Sequence, residues 1–425
     1  MTPWTLAIVA GSLLAYAAVS RRLSGTMITS AMVFVGIGLL VGPEALDGLA
    51  AAPTGHGVRV LAEATLTFVL FADASRIDLR ALRNEYSVPA RLLGIGLPLT
   101  IAAGAAAAAA LFSDLTWIEA AVLGIMLAPT DAALGQAVVT LPELPSRIRQ
   151  GLNVESGLND GICVPLLLIA LAAAETQADA TTQSHAVTVV GEEIGYGILG
   201  GVVAGAIGAL VVVVAGRRKL ISPSWLQITP VAAAGLAYGI ANPLGGSGFI
   251  AAFVGGMVYG GLRRRGEGED TFLLDQLGGL LDAVTFLLFG AILLGPSLGH
   301  VTWQVAVYAV LSLTVVRMIP VAIAMLGTGA RPPTLAFLGW FGPRGLASIV
   351  FAVIVVEEAH LQHTATILVV TYVTVGLSVL LHGVSAAPLA ARYARWYRSK
   401  PSDNLPPMES VHAPDQRWRS VRSSS

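Results

Sequence analysis

The chain reads as an all-α polytopic membrane protein, and three observations lead there. Of its 425 residues 55% are hydrophobic and 12% are charged, with a mean hydropathy of +0.74. A soluble domain cannot hide that much apolar surface, whereas a bundle of membrane helices can turn it to lipid. Apolar runs long enough to cross a bilayer recur along the sequence, and basic residues collect in every second loop between them.

The unit of a spanning helix is a run of roughly 17 to 25 apolar residues. Thirteen such runs are present, at about 3–20, 27–42, 57–73, 92–112, 117–139, 152–173, 188–215, 226–242, 247–262, 278–297, 301–327, 334–356 and 364–388. The first, PWTLAIVAGSLLAYAAVS, is followed by no convincing cleavage site and is kept as a spanning helix. The runs at 27–42 and 247–262 are the shortest. Gly and Ala pervade the set, as in AAGAAAAAAL (102–111) and Gly201-x-x-x-Gly205, a composition that lets helix backbones approach closely.

The loops after odd-numbered spans hold Arg21 and Arg22, Arg76 to Arg91, Arg147 and Arg149, Arg217 to Lys219, Arg263 to Arg265, and Arg331. Together with the C-terminal segment they carry 22 of the 25 Lys and Arg residues, and the loops after even-numbered spans carry only Arg59. By the positive-inside rule this predicts a multi-pass protein of the cell membrane, N-terminus outside and C-terminus cytoplasmic. A missed or invented span would scramble the alternation.

The expected organisation is a transmembrane domain over 1–398, with halves at about 3–173 and 226–388 joined by a linker helix at about 188–215. Residues 399–425 are rich in Ser, Pro and charge and read as a short disordered cytoplasmic tail. No nucleotide-binding domain, nucleic-acid partner or cofactor is expected. Cys163 is the only cysteine, which leaves no disulfide and no thiolate metal centre.

Subtracting the loop charges leaves Arg317 and Arg344 within spans, together with Glu63, Asp73, Asp131, Glu155, Asp160 and, near a span end, Asp282. A charge at the bilayer centre costs about 2.5–3.5 kcal/mol even on a lenient scale, so such residues face a cavity or a partner. At about 1.5 Å per residue, Asp160 lies roughly 12 to 15 Å from the cytoplasmic start of its span, Arg344 is similarly deep, and Asp131 reaches about 21 Å from the other side. Glu63 and Asp282 read as interfacial or packing residues. His360 and His363 fall in an external loop that reads as solvated.

Two spans carry breaks beside these charges. The fifth reads GIMLAPTDAALGQ (124–136) and the twelfth GWFGPRGLAS (339–348). Pro129 removes a helical hydrogen bond just before Thr130 and Asp131. The two spans are seven apart and so run in opposite directions, which predicts inverted six-helix repeats with broken helices 5 and 12 crossing at the midplane. Arg344 then serves either site electrostatics or neutralisation of a helix end.

The sixth span supplies the remaining groups. Glu155 and Asn159 share one face, as do Ser156 and Asp160, while Glu155 and Asp160 are about 140° apart. Their roles therefore divide. Asp160 with Thr130 and Asp131 offers hard oxygen ligands to a dehydrated monovalent cation, and Glu155 is matched to a buried arginine. Asp160 can hold a proton or a cation but not both, which is the minimal requirement for exchange.

APTDAALG, NVESGLND, GGSGFIAAFVGGMVYG (245–260), VVRMIPV (315–321) and GPRGLAS resemble the monovalent cation:proton antiporter family, in particular electroneutral sodium/proton antiporters of the Asn-Asp type. The resemblance implies that Asp160 carries cation and proton, that Asn159 marks the electroneutral branch, and that Thr130, Asp131 and Ser156 line the ion site. It implies a Glu155–Arg317 pair, and one cation per proton because arginine does not release its proton. LFADASRID (70–78) is similar to the family's helix-3 acidic motif, making Asp73 an entrance or ligand residue. Ala132 departs from the family pattern, which often has proline there. The expected function is exchange of sodium or lithium for protons in sodium and pH homeostasis, by a homodimer, with potassium as the alternative cation. A sodium-coupled symporter would call for a roomier, more aromatic cavity. An intramembrane aspartyl protease would call for a Gly-x-Gly-Asp signature, which is absent.

Overall fold

The computed structural model describes residues 3–23, 26–43, 55–77, 87–131, 134, 141, 143–176, 183–263, 271–358, 361–399 and 409. Among these residues the chain is helical, without strands, and twelve of the thirteen expected spans coincide with a helix or helix pair; of the span at 117–139 only Trp117–Met126 is helical, and residues 132, 133 and 135–140 lie outside the described residues. In order they are α1 (Pro3–Leu23), α2 (Ser30–Val41), α3 (Gly55–Arg76), α4 (Ser87–Leu111), α5 (Trp117–Met126), α6 (Ser146–Thr176), α7 (Gln183–Arg217), α8 (Pro223–Ala241), α9 (Gly248–Leu262), α10 (Phe272–Leu298), α11 (Trp303–Ala324), the half-helices α12a (Pro332–Trp340) and α12b (Leu346–Glu358), and α13 (Thr364–Arg398). Seven of these helices are, by length and composition alone, sufficient to cross a membrane.

Helix ends differ from the hydropathy reading where charges sit on helices. The α6 helix begins at Ser146, so Asp160 lies fourteen residues in, or about 21 Å along the axis. Arg147 and Arg149 extend it because each finds an acceptor, Ser87 Oγ at 2.9 Å and the Leu141 carbonyl at 3.4 Å. Hydropathy stops counting at a charge, whereas the backbone ladder does not. The start of α5 is fixed by a capping box. Thr116 Oγ1 accepts from the Glu119 N–H, and Glu119 Oε2 accepts from the Thr116 N–H. Glu119 Oε1 also accepts from the His363 N–H at 2.9 Å, tying the start of α5 to the start of α13. His363 is therefore held, which the reading of a solvated loop did not anticipate; His360 lies outside the described residues.

The chain forms two compact units, one of residues 1–62, 87–180 and 282–413, the other of 63–86, 181–281 and 414–425. Each draws on both sequence halves. The first holds the broken helices, and its apolar core includes Val88, Leu92, Ile148, Leu152, Val321, Phe337 and Phe341. Glu409 also belongs here, buried, with its carboxylate accepting from the Arg331 N–H and from Thr334 Oγ1 at the start of α12a. That end of a helix offers free N–H groups and a positive dipole, and a carboxylate satisfies both. At this residue the expected disorder gives way to an anchor; the remainder of the tail past Ser399 lies outside the described residues.

The second unit packs α7, α8 and α9 through small residues. A Cβ added at Gly205 would collide with the Gly255 backbone, and one at Gly201 would come within 2.5 Å of the Ala251 carbonyl. Ala204, Ala237, Ala241 and Ala251 fill the seam. Glu63 accepts from Tyr238 Oη at 2.9 Å, and Arg76 pairs with both Asp73 and Asp275.

Candidate functional site

The helix α5 ends at Met126; the Leu127 and Ala128 N–H groups still donate to the Leu123 and Ile125 carbonyls at 3.2 Å, and residues 129–131 continue without helical bonding. Pro129 supplies no N–H, and the carbonyls preceding it lose their partners. Every polar backbone group left in a buried break has to be satisfied elsewhere. Ser348 Oγ donates to the Met126 carbonyl at 2.7 Å, and the Arg344 guanidinium donates to the carbonyls of Ala128 at 2.9 Å and Pro129 at 3.3 Å. Ser156 Oγ donates to the Thr130 carbonyl. Asn159 Oδ1 accepts from the Thr130 N–H at 3.3 Å, and its Nδ2 donates to Thr130 Oγ1 at 2.8 Å. Thr130 is thus gripped at three atoms by one face of α6.

The second break, 341–345, meets the first. The Asp131 N–H donates to the Pro343 carbonyl at 2.8 Å, and Asp131 Oδ2 accepts from the Leu346 N–H at 3.1 Å. Asp131 therefore sits at the N-terminus of α12b, where the helix dipole favours a negative charge. Arg344 sits at the C-terminal end of α5, where the dipole favours a positive one. Each broken helix lends the other the charge its end requires. Of the two roles open to Arg344, helix-end neutralisation is the one with hydrogen bonds. Gly345 makes the approach possible, since a Cβ there would collide with the Asp131 carboxylate.

Glu155 and Arg317 form a buried bidentate pair, with Arg317 Nη1 and Nη2 donating to Glu155 Oε1 and Oε2 at 2.6 and 2.7 Å, and both side chains are 1% exposed. Gly342 lies between this pair and the α5 break. A Cβ there would come 2.5 Å from Arg317 Nε and 3.1 Å from the Thr130 methyl. Asp160 follows Asn159 on α6 and is half-buried, as is Asp131, which follows Thr130. Two carboxylates thus flank the Thr130–Asn159 hydrogen bonds, one on an intact helix and one on a break.

The structure brings Thr130, Asp131, Glu155, Ser156, Asn159, Asp160, Arg317 and Arg344 into one unit. Asp73 belongs to the other unit, where Arg76 pairs with it at 2.7 Å. Sequence reasoning passed over Ser348, Ser378 and His382. His382 is 1% exposed and lies inside the last span, with Nε2 2.9 Å from the Trp340 carbonyl, while Ser378 Oγ accepts from the Arg344 N–H at 2.6 Å. The available signal was a Ser and a His four residues apart within an apolar run.

A family model described as sodium/hydrogen exchanger, transmembrane, matches residues 9–392. The chain is similar to the K(+)/H(+) antiporter NhaP of Alkalimonas amylolytica, 27% identical over 381 residues covering 86% of this chain and 62% of that protein. It is also similar to the K(+)/H(+) antiporter NhaP2 of Shewanella oneidensis, 24% identical over 372 residues with the same two shares. It spans less than two thirds of the length of these relatives. Among solved structures it shares the fold of the sodium proton antiporter MjNhaP1 from Methanocaldococcus jannaschii, with a TM-score of 0.69 at 19% identity, over 92% of this chain and 98% of that one.

Proposed function

Because the chain belongs to the sodium/hydrogen exchanger family, we propose that it exchanges a monovalent cation for protons across the membrane, with Asp160 carrying each in turn. Sodium or lithium is the proposed cation, one ion per proton. The observation that carries this reading is the crossing of two broken helices whose ends are neutralised by Asp131 and Arg344, with Asp160 beside it on α6. Paired interrupted helices from opposite-running halves form transporter midplane sites. Because Ser156 and Asn159 are engaged with Thr130, they hold the ion-site backbone in place, leaving Asp160 and Asp131 as the charged oxygens for the ion.

Electroneutrality rests on Glu155 and Arg317. Both nitrogens at the end of the guanidinium are occupied by one carboxylate, and an arginine keeps its proton at any working pH. A turnover then moves one charge each way at Asp160. The protein is proposed to act as a homodimer in the cell membrane, N-terminus outside, in sodium and pH homeostasis. Potassium is the second reading, favoured by the names of the two relatives above.

The test is proton movement from reconstituted liposomes on addition of sodium, lithium, potassium or a neutral solute, with and without a clamped voltage. A response to sodium and lithium that ignores voltage supports the reading. A response to potassium alone selects the second, and a response only to the solute or a voltage-dependent current overturns the proposed stoichiometry and class.

A further inference from the structure

The break in α12 leaves two backbone groups without helical partners on opposite sides of the gap. One is the carbonyl of Trp340, at the end of α12a, whose backbone partner is the Gly342 N–H two residues on at 2.8 Å, and the other is the N–H of Arg344, just before α12b. Both are met by side chains four residues apart on α13, His382 and Ser378, which helical spacing puts on one face. Ser378 Oγ accepts from the Arg344 N–H at 2.6 Å, and His382 Nε2 lies 2.9 Å from the Trp340 carbonyl. A carbonyl only accepts, so Nε2 bears the proton and donates.

The other ring nitrogen closes the link between the two. His382 Nδ1 is 3.1 Å from the Ser378 carbonyl and 3.2 Å from Ser378 Oγ. In the neutral ring it takes the one proton the Ser378 hydroxyl has left after accepting from Arg344. In the protonated ring it donates to the Ser378 carbonyl instead. In both states Nε2–H remains on Trp340 and Ser378 Oγ remains on Arg344, so the span across the break persists. The ring is further held by Trp340, whose centroid lies 5.1 Å away, and Trp340 Nε1 donates to Ser385 Oγ of the same helix at 2.9 Å. Ser378 and His382 are both buried.

We propose that Ser378 and His382 form a clamp from α13 across the α12 break, positioning Arg344 for the cation site. The guanidinium of Arg344 fixes the Ala128 and Pro129 carbonyls, and Pro129 directly precedes Thr130 and Asp131. A shift of the Arg344 backbone therefore reaches the ion ligands through two hydrogen bonds, without His382 touching the ion. The effect on transport rests on the exchange function proposed above; the clamp itself does not.

Two readouts on the whole 425-residue chain separate these. In liposomes, Ser378→Ala and His382→Ala are each expected to raise the apparent KM for sodium about fivefold, the factor that loss of one hydrogen bond carries, with the maximal rate little changed. His382→Gln, whose amide can still donate to Trp340, is expected to restore most of the loss. The double alanine variant is expected to be no worse than the poorer single, because the residues act as a unit. In hydrogen exchange, the amides between Phe341 and Leu346 are expected to open faster in both alanine variants. Wild-type exchange at those amides overturns the clamp whatever the transport assay gives. Faster opening with a wild-type KM, even with a lowered melting temperature, overturns the positioning role. An Asp160→Asn protein that still exchanges cations sinks the transport reading and leaves the hydrogen-exchange result to decide the clamp.

Discussion

In the bundle of α7, α8 and α9, Gly205 packs so closely on Gly255 that a single methyl group would collide, and Ala204, Ala237, Ala241 and Ala251 fill the seam with Ile240 packed against them. Where α5 crosses α12, the backbones also touch, through the Asp131 N–H and the Pro343 carbonyl, but the surrounding groups are carboxylates, guanidinia, an amide and hydroxyls. Apart from the Ser247 N–H, which caps α9 by donating to the Glu193 carbonyl of α7 at 3.0 Å, the first region keeps its backbone hydrogen bonds inside each helix, and the glycine approach gains only dispersion. The second gives those bonds up for several residues and must replace each one. Glycine alone suffices for a static contact, whereas a break at membrane depth has to line a cavity or be buried in protein with its polar groups met.

That contrast can be tested from its strongest point downward. Asp160→Asn should reduce exchange to the liposome background while leaving yield and melting close to wild type. Retained exchange would remove Asp160 from its assigned role. Arg317→Ala comes next, since it strands Glu155 in a buried site and should cost about 3–5 kcal/mol of stability, seen as a large drop in detergent melting temperature. Glu155→Leu with Arg317→Met should recover much of the loss, because the penalty belongs to the orphaned charge; if the pair variant melts as low as the single, that account is wrong. In the small-residue seam, Gly205→Val should cost about 1–3 kcal/mol through overpacking, with the sodium KM of the surviving folded protein unchanged. A changed KM there would mean that the glycine seam tunes the ion site. The smallest effect belongs to Glu409→Ala, which removes a carboxylate from the start of α12a and should cost about 0.5–1 kcal/mol; an unchanged melting temperature would show that this anchor adds nothing to stability.

Different parts of this arrangement were legible in the sequence to different degrees. The spans were readable because a bilayer-length apolar run is a local property, and the breaks at Pro129 and around Pro343 were readable because proline and glycine act on their own backbone. The ends were misread where charges continue a helix, as at Arg147 and Arg149, since hydropathy records side chains and not the backbone ladder. The motif made Asp73 an entrance or ligand residue; that Arg76, three residues on, pairs with it was not read from the sequence. His382 went unremarked because a lone histidine in an apolar run carries no sign of what it faces.

The sequence by itself determined that this chain is a membrane bundle, which of its charges fall within apolar spans, and where its helices are interrupted, because each follows from the character of residues counted along the chain. The Glu155–Arg317 pair was implied by the family resemblance; the other partners only the tertiary structure decided. That Asp131 meets α12b, Arg344 meets the Ala128 and Pro129 carbonyls, and His382 meets Trp340 depends on hydrogen bonds of about 3 Å reach between segments far apart in sequence. Such a bond exists only once two helices have fixed their depth and rotation against each other.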